Sequence, residues 1–254
     1  MYRLLSGVFF GVYLGVVLFA CDIADSAHKQ KNHPQVKIKE KIKSQGPIKD
    51  QKTTILPAQL VDVQSICPDI QIDLKYCTSD NFLKQRLYFS IDRAYLQKDV
   101  AARLAKVQQA LSKQRPGYRL LIFDALRPVS VQEKMWKALD TIIPVERAKF
   151  VSNPKNRSLH NFGAAIDISI LDAKGQLLDM GAGFDDIRKI AYPCLEDSFL
   201  RTGQLSTQQL SNRLLLRNLM KSQGFRQLPT EWWHFNACSR EEAKQKYQVV
   251  LVEP

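Results

Sequence analysis

The chain has 254 residues, of which 45% are hydrophobic and 24% charged, and a net charge of +12. That composition excludes a wholly disordered chain and is enough to bury the core of one large domain or two small ones. The positive charge raises nucleic-acid binding, but no zinc-finger, helix-turn-helix or RNA-binding signature is present, so no nucleic-acid partner is expected.

Arg3 precedes an uncharged apolar run over residues 4–21, the pattern of an export signal. The run ends in Leu18-Phe19-Ala20-Cys21, which resembles a bacterial lipoprotein cleavage site with Cys21 as the lipidated residue. An uncleaved anchor helix and simple secretion are the other readings, since the run is just long enough to span a bilayer. All three place the remainder of the chain outside the cytoplasm, on the periplasmic or extracellular face, and the first two tie it to a membrane. Residues 22–57 hold eight lysines (Lys29, Lys31, Lys37, Lys39, Lys41, Lys43, Lys49 and Lys52) and only isolated apolar residues. They cannot bury enough surface to offset ordering entropy, and read as a disordered tether beside an anionic membrane.

The folded domain is expected over 58–254. Short strands are predicted at 61–66 and 70–76. Leu96, Val100, Leu104, Val107 and Leu111 fall at helical spacing, predicting a helix over 92–114 behind Ser90 or Asp92. A strand at 118–123 and a helix at 130–139 come next. The apolar run 164–171 reads as a strand, with 176–178 returning as a hairpin. A helix over 206–223 closes at Gly224. The Ser239 and Glu242 spacing starts a last short helix, and 249–252 is strand-like. Strands interrupted by helices imply an α+β domain: a mainly antiparallel central sheet flanked by helices, with the functional site expected at one face of the sheet. Four cysteines lie in the domain. Pairing of Cys67 with Cys77 and of Cys194 with Cys238 is one expectation, and free thiols are the other.

Of four histidines, only His160 and His234 lie in the domain. His160 stands seven residues before Asp167, a carboxylate inside an otherwise apolar strand, which is costly unless paired or metal-bound. His234 follows Glu231 by three. Two imidazoles and a carboxylate are the usual ligands of a catalytic zinc, with a further carboxylate as general base. Without a metal, Asp167 is a salt-bridged aspartate and His234 a satisfied core histidine. In an ideal strand Glu231 and His234 face opposite ways, so the pair needs a bulge, a bend, or Glu231 at the strand's start.

Ser158-Leu159-His160-Asn161-Phe162-Gly163-Ala164-Ala165-Ile166-Asp167 and Glu231-Trp232-Trp233-His234 together resemble the zinc D-Ala-D-Ala metallopeptidases. The stretches 73–82, 123–128 and 180–185 narrow the resemblance to the D-alanyl-D-alanine dipeptidase branch. It implies one zinc per chain on His160, Asp167 and His234, and Glu231 as base. It also implies Arg127 as oxyanion stabiliser, Ser158 as an orienting residue, and Asp185 as the partner of the substrate's amino group. Tyr76 and Asn81 match pocket-lining positions, and the implied partner is a D-Ala-D-Ala-type dipeptide. The chain departs from the pattern at Cys77, where alanine is usual, at Lys84, where glycine is expected, and after Asp185. Two alternatives carry weight: a D,D-carboxypeptidase or muropeptide peptidase with the same metal site, and a non-catalytic peptidoglycan-binding lipoprotein.

Overall fold

The computed structural model describes residues 56–148 and 151–254. The export segment, Cys21 and nearly all of the expected tether lie outside the described residues. Folded structure is already present at Leu56, which packs on the core two residues before the expected start. Among the described residues no helix is long and apolar enough to cross a membrane.

In chain order the elements are β1 (Leu60–Asp62), α1 (Val63–Ile66), β2 (Gln71–Ile72), β3 (Tyr95–Gln97), α2 (Lys98–Gln114), β4 (Arg119–Asp124), α3 (Val129–Ala138) and α4 (Pro144–Arg147). Then come β5 (Ala165–Leu171), α5 (Glu196–Arg201), α6 (Thr207–Ser222), β6 (Arg226–Leu228), β7 (Glu231–Asn236) and α7 (Arg240–Lys246). Short 3₁₀ turns at Lys75–Cys77 and Leu159–Phe162 matter for the site. The main sheet runs β2-β4-β5-β7-β6; β2 is parallel to β4 and the other pairs are antiparallel. The fold is therefore α+β with a mainly antiparallel sheet, as expected, plus a separate β1-β3 ribbon.

β5 is the centre of the sheet. Ile166, Ile168 and Ile170 are fully buried, and so are the alternating Asp167 and Ser169 on the other face. Helix α2 buries Val100, Leu104, Val107 and Leu111 at the expected spacing. Its buried Gln108 accepts from Leu120 N–H at 2.7 Å and donates to Tyr118 C=O at 3.1 Å, so the helix is bonded to β4.

Several local expectations are corrected. The strand expected at 61–66 stops at Asp62, whose carboxylate accepts from Gln64 N–H at 3.0 Å and starts α1. α2 begins at Lys98 and not behind Ser90 or Asp92. Gln97 holds the chain extended, because its N–H donates to Gly163 C=O and its side chain to Phe162 C=O. The 176–178 return makes only one isolated bridge, Leu171 to Leu177. Residues 249–252 form no strand. Instead Val250 N–H donates to Asn161 C=O at 2.8 Å, and Val129 N–H and Ser130 N–H donate to Val250 and Leu251. All four cysteines of the domain are free; the Cys77 thiol donates to Ile91 C=O.

Gly163 ends the histidine turn in the left-handed region, with φ +63°, and a Cβ there would lie 2.5 Å from a Leu60 methyl. Gly163→Ala is expected to cost about 1–3 kcal/mol. Thermal unfolding should show a Tm lower by roughly 2–4 °C per kcal/mol; an unchanged Tm would mean that the turn adjusts freely.

Candidate active site

The sheet register assembles the site. Asp167 on β5 and His234 on β7 are direct cross-strand partners, which places their Cβ atoms about 4.5–5.5 Å apart. His160 comes from the turn just before β5. Ser158 caps that turn: its hydroxyl accepts from His160 N–H at 3.3 Å, and Asn161 returns to Ser158 N–H at 2.8 Å. Three further bonds stitch the turn to the segment after β4. His160 Nδ1 meets Ala125 C=O at 2.7 Å, Arg127 N–H donates to His160 C=O at 3.1 Å, and Asn161 Nδ2 donates to Arg127 C=O at 2.7 Å.

Three donor atoms converge. His160 Nε2 and His234 Nδ1 are 3.2 Å apart, and Asp167 Oδ1 lies 2.9 Å from His234 Nδ1 and 3.4 Å from His160 Nε2. All three residues are buried. Each imidazole has its other nitrogen committed: a carbonyl only accepts, so His160 Nδ1 carries the proton toward Ala125. His234 Nε2 likewise donates to Asn236 Oδ1 at 2.8 Å. In these neutral tautomers both inward nitrogens present lone pairs beside a carboxylate oxygen, and because Asp167 raises the proton affinity of His234, a proton and a metal ion compete for its Nδ1. A tetrahedral ion with bonds of about 2.0–2.1 Å has ligand atoms roughly 3.3 Å apart. The donor triangle fits one face of such an ion, and the outward bonds are the orienting contacts that a metal site needs.

Glu231 opens β7. Gln227 pairs with Phe235 but the next residue, Leu228, pairs with Glu231, so β7 carries three extra residues between these pairs. That irregularity answers the facing problem: Glu231 Oε2 comes within 3.8 Å of His234 Nδ1. Burial raises the Glu231 carboxyl above its ordinary value, with His234 opposing.

A second irregularity places Arg127. Ile122 pairs with Ile168 and Asp124 with Asp167, so Phe123 is an extra residue and two carboxylates face each other across the strands. Like charges so placed repel. Arg127 resolves this, with its guanidinium 2.7 Å from Asp124 Oδ2 and 3.3 Å from Asp167 Oδ2. Tyr88 donates to the other Asp124 oxygen at 2.5 Å.

Asp185 has a left-handed backbone, φ +60°. Its carboxylate accepts from Tyr76 OH, 3.1 Å from each oxygen. Burial pushes its acid well above the ordinary range, and Asp167 adds to the effect. Phe184 beside it packs on Phe123, Tyr76 and Trp233. Buried Arg213 on α6 pins the loop on both sides of Asp185, donating to Met180 C=O at 2.6 Å and Ile190 C=O at 2.9 Å.

His160, Asp167, His234, Glu231, Arg127, Asp185, Tyr76 and Ser158 thus line one cleft. Asn81 does not. Its Nδ2 donates to the carbonyls of Lys75, Thr78 and Gln85 and its Oδ1 accepts from Leu83 N–H, so it organises the 75–87 loop, and Phe82 reaches the cleft from that loop. Lys84, where glycine was expected, has φ +54°, the conformation that glycine favours. Sequence reasoning missed Asp124, Tyr88 and Asn236. Asn236 was within reach, because a residue two past His234 shares its face of a strand.

Asn236→Leu removes the acceptor that sets the His234 tautomer. Metal affinity, read by competition with a chromogenic chelator, is expected to fall about 10- to 100-fold; unchanged affinity would overturn the tautomer assignment.

Residues 57–253 match the D-ala-D-ala dipeptidase family of M15 peptidases. The chain is 36% identical over 177 residues to the D-alanyl-D-alanine dipeptidase of Escherichia coli K12, covering 70% of this chain and 83% of that one. The D-alanyl-D-alanine dipeptidase of Synechocystis sp. is 28% identical over 219 residues, 75% of this chain and 84% of that one. That of Enterococcus faecium is 28% identical over 188 residues, 68% of this chain and 88% of that one. Motif order and family match agree, and the chain belongs to the D-Ala-D-Ala dipeptidase family of M15 metallopeptidases.

Proposed function

We propose that the chain hydrolyses free D-Ala-D-Ala, or a similar cell-wall dipeptide, with one zinc ion held by His160, Asp167 and His234. The observation that carries this reading is the buried triangle of His160, Asp167 and His234 donor atoms beside a half-buried carboxylate, Glu231. When bound, zinc acts as a Lewis acid that lowers the pKa of water and polarises a carbonyl. Glu231 accepts the proton of the attacking water at Oε2 and returns it to the leaving amine. Its raised proton affinity suits both halves of that transfer. Arg127 holds a permanent positive charge beside Asp167, where it stabilises the oxyanion as it develops. Tyr76 and the pinned loop hold Asp185 in place. A substrate ammonium facing that carboxylate favours its ionised form and offsets the cost of burial. An acylated amine offers no such charge, which favours a dipeptidase over a D,D-carboxypeptidase or muropeptide peptidase.

The export reading is part of the same proposal: Cys21 is lipidated and anchors the domain at the outer face of a membrane, where wall-derived dipeptides occur. Palmitate labelling of the wild type, lost in Cys21→Ser, is the expected result in a bacterial host; absence of label on the wild type would favour an uncleaved anchor.

Glu231→Gln keeps shape and hydrogen bonding but takes no proton. It is expected to retain stoichiometric zinc by metal analysis while turnover falls about 10²- to 10⁴-fold. Zinc loss in this variant would make Glu231 a ligand and overturn the assigned roles. His234→Ala should lose the metal, and N-acetyl-D-Ala-D-Ala should not be cut by the wild type. Asp185→Asn should raise KM for the free dipeptide far more than it lowers kcat.

A further inference from the structure

Arg127 and Asp124 are not paired in the way such a pair prefers. An arginine beside a carboxylate makes its strongest contact as a fork, two parallel N–H bonds to two oxygens. Here Nε donates to Asp124 Oδ2 at 2.8 Å, and Nη2 lies 2.7 Å from that same oxygen. Oδ1 takes no part. It is held by Tyr88, whose hydroxyl donates to it at 2.5 Å. Nη2 meanwhile reaches Asp167 Oδ2 at 3.3 Å. Arg127 thus has a looser hold on Asp124 than the two groups could form, and stays in contact with the carboxylate of β5.

Tyr88 is well fixed in that position. Tyr88 and Asp124 are both fully buried. Burial first, and then the Asp124 charge, pushes the phenol well above its ordinary value, so the hydroxyl keeps its proton and donates. Leu126 C=O, at 3.3 Å, is the other acceptor in reach, and the carboxylate oxygen is nearer. Tyr88 N–H donates to Tyr76 C=O at 2.9 Å, and the two rings meet edge-on with centres 5.8 Å apart. Tyr76 in turn lies against the Arg127 guanidinium, with its ring centre 5.1 Å away. Tyr88 itself does not line the cleft. Without its hydroxyl, Asp124 Oδ1 would be a buried acceptor lacking a partner, which is costly. Turning the carboxylate so that each oxygen meets one guanidinium nitrogen removes that cost. It also draws Arg127 onto Asp124 and takes Nη2 off Asp167.

We propose that Tyr88 is a positioning residue for the hydrolysis: by occupying Asp124 Oδ1 it denies Arg127 the fork, and so keeps the guanidinium beside Asp167, where the oxyanion develops. The inference rests on the dipeptidase reading and on the role given there to Arg127. It assigns to a side chain outside the cleft an effect on turnover and none on substrate binding.

The test uses full-length, zinc-loaded protein and D-Ala-D-Ala. Tyr88→Phe keeps the ring and removes only the hydroxyl. Its kcat is expected to fall about 10-fold, short of the about 10²- to 10³-fold that loss of an oxyanion donor costs. KM should stay within about twofold, with zinc content unchanged. The same substitution is then made in an Arg127→Lys chain. Lysine keeps the positive charge but cannot form the fork. There Tyr88→Phe should change the remaining kcat by less than about twofold, because the two effects are coupled. A hydroxyl that only satisfies Asp124 would cost the same in both chains, and equal losses overturn the assignment. So does an unchanged kcat, or a Tyr88→Phe chain that fails to fold or to hold zinc. A crystal structure of the Tyr88→Phe protein gives a second readout. Arg127 Nε and Nη2 on separate oxygens of Asp124 are expected, and an unmoved pair overturns the proposal. A wild type that does not cut D-Ala-D-Ala is a different result: the dipeptidase reading then fails and the effect on turnover falls with it, while the crystal structure still decides whether the hydroxyl holds off the fork.

Discussion

Three lone pairs held about 3 Å apart in a dry place are the constraint on which the rest of the structure depends. Two imidazole nitrogens and a carboxylate oxygen repel one another unless a cation sits among them, and no side chain relaxes away. What prevents relaxation is a set of bonds pointing outward. Ala125 C=O fixes one ring, Asn236 the other, and Arg127 takes the second oxygen of Asp167. These partners come from the segment after β4, from β7, and again from beyond β4. The site is thus rigid only if the β4-β5-β7 register is rigid, and the apolar packing of the Ile166, Ile168 and Ile170 face secures that register, because a one-residue slip would carry Asp167 and Ser169 into that apolar layer.

The same register creates an electrostatic conflict. Opposing Asp124 to Asp167 puts two buried carboxylates on neighbouring strands. Arg127 bridges them, and Tyr88 removes the remaining lone-pair demand of Asp124. The arginine is therefore held before any substrate arrives, which is the condition for electrostatic preorganisation: it need not reorient when charge develops on the reacting carbonyl.

The parts of this protein that could be read from sequence were those written in local periodicity or in residue chemistry. The buried stripe of α2, the Ser239 capping box and the apolar strand β5 are local, and the structure has all of them. The cluster of His160, Asp167 and His234 was legible because a carboxylate in an apolar strand is anomalous and because both motifs resemble those of the zinc D-Ala-D-Ala metallopeptidases; residue chemistry alone left a salt-bridged aspartate and a core histidine open. What was not legible was set by distant partners. α2 starts late because Gln97 is bonded to a turn more than sixty residues away. The 249–252 segment has strand composition, yet its backbone groups are taken by Asn161 and the start of α3, so no ladder forms. Asn81 matches a pocket-lining position of the family it resembles, but every polar atom of its side chain is bonded within its own loop. Cysteine pairing was undetermined by spacing, and the Cys77 thiol found a carbonyl instead.

Rigidity is distributed unevenly across the site, and the division has a chemical logic. The metal residues, and Glu231 with them, sit on or beside central strands. Asp185 sits on a loop with little regular structure, in a left-handed conformation that an aspartate adopts only at a cost. Such a residue stays in place only if its surroundings over-determine it. Here Phe184 wedges between three aromatic rings on one side, and Arg213, itself buried and bonded to Glu196, fastens the loop from behind. The arrangement separates reaction from recognition. Under the proposed function, changes to the 180–190 loop are expected to alter which amino terminus is accepted, whereas His160, Asp167 and His234 make no hydrogen bond to that loop. Changes to the β4-β5-β7 register disturb both, since Arg127, Asp167 and His234 all take their positions from it.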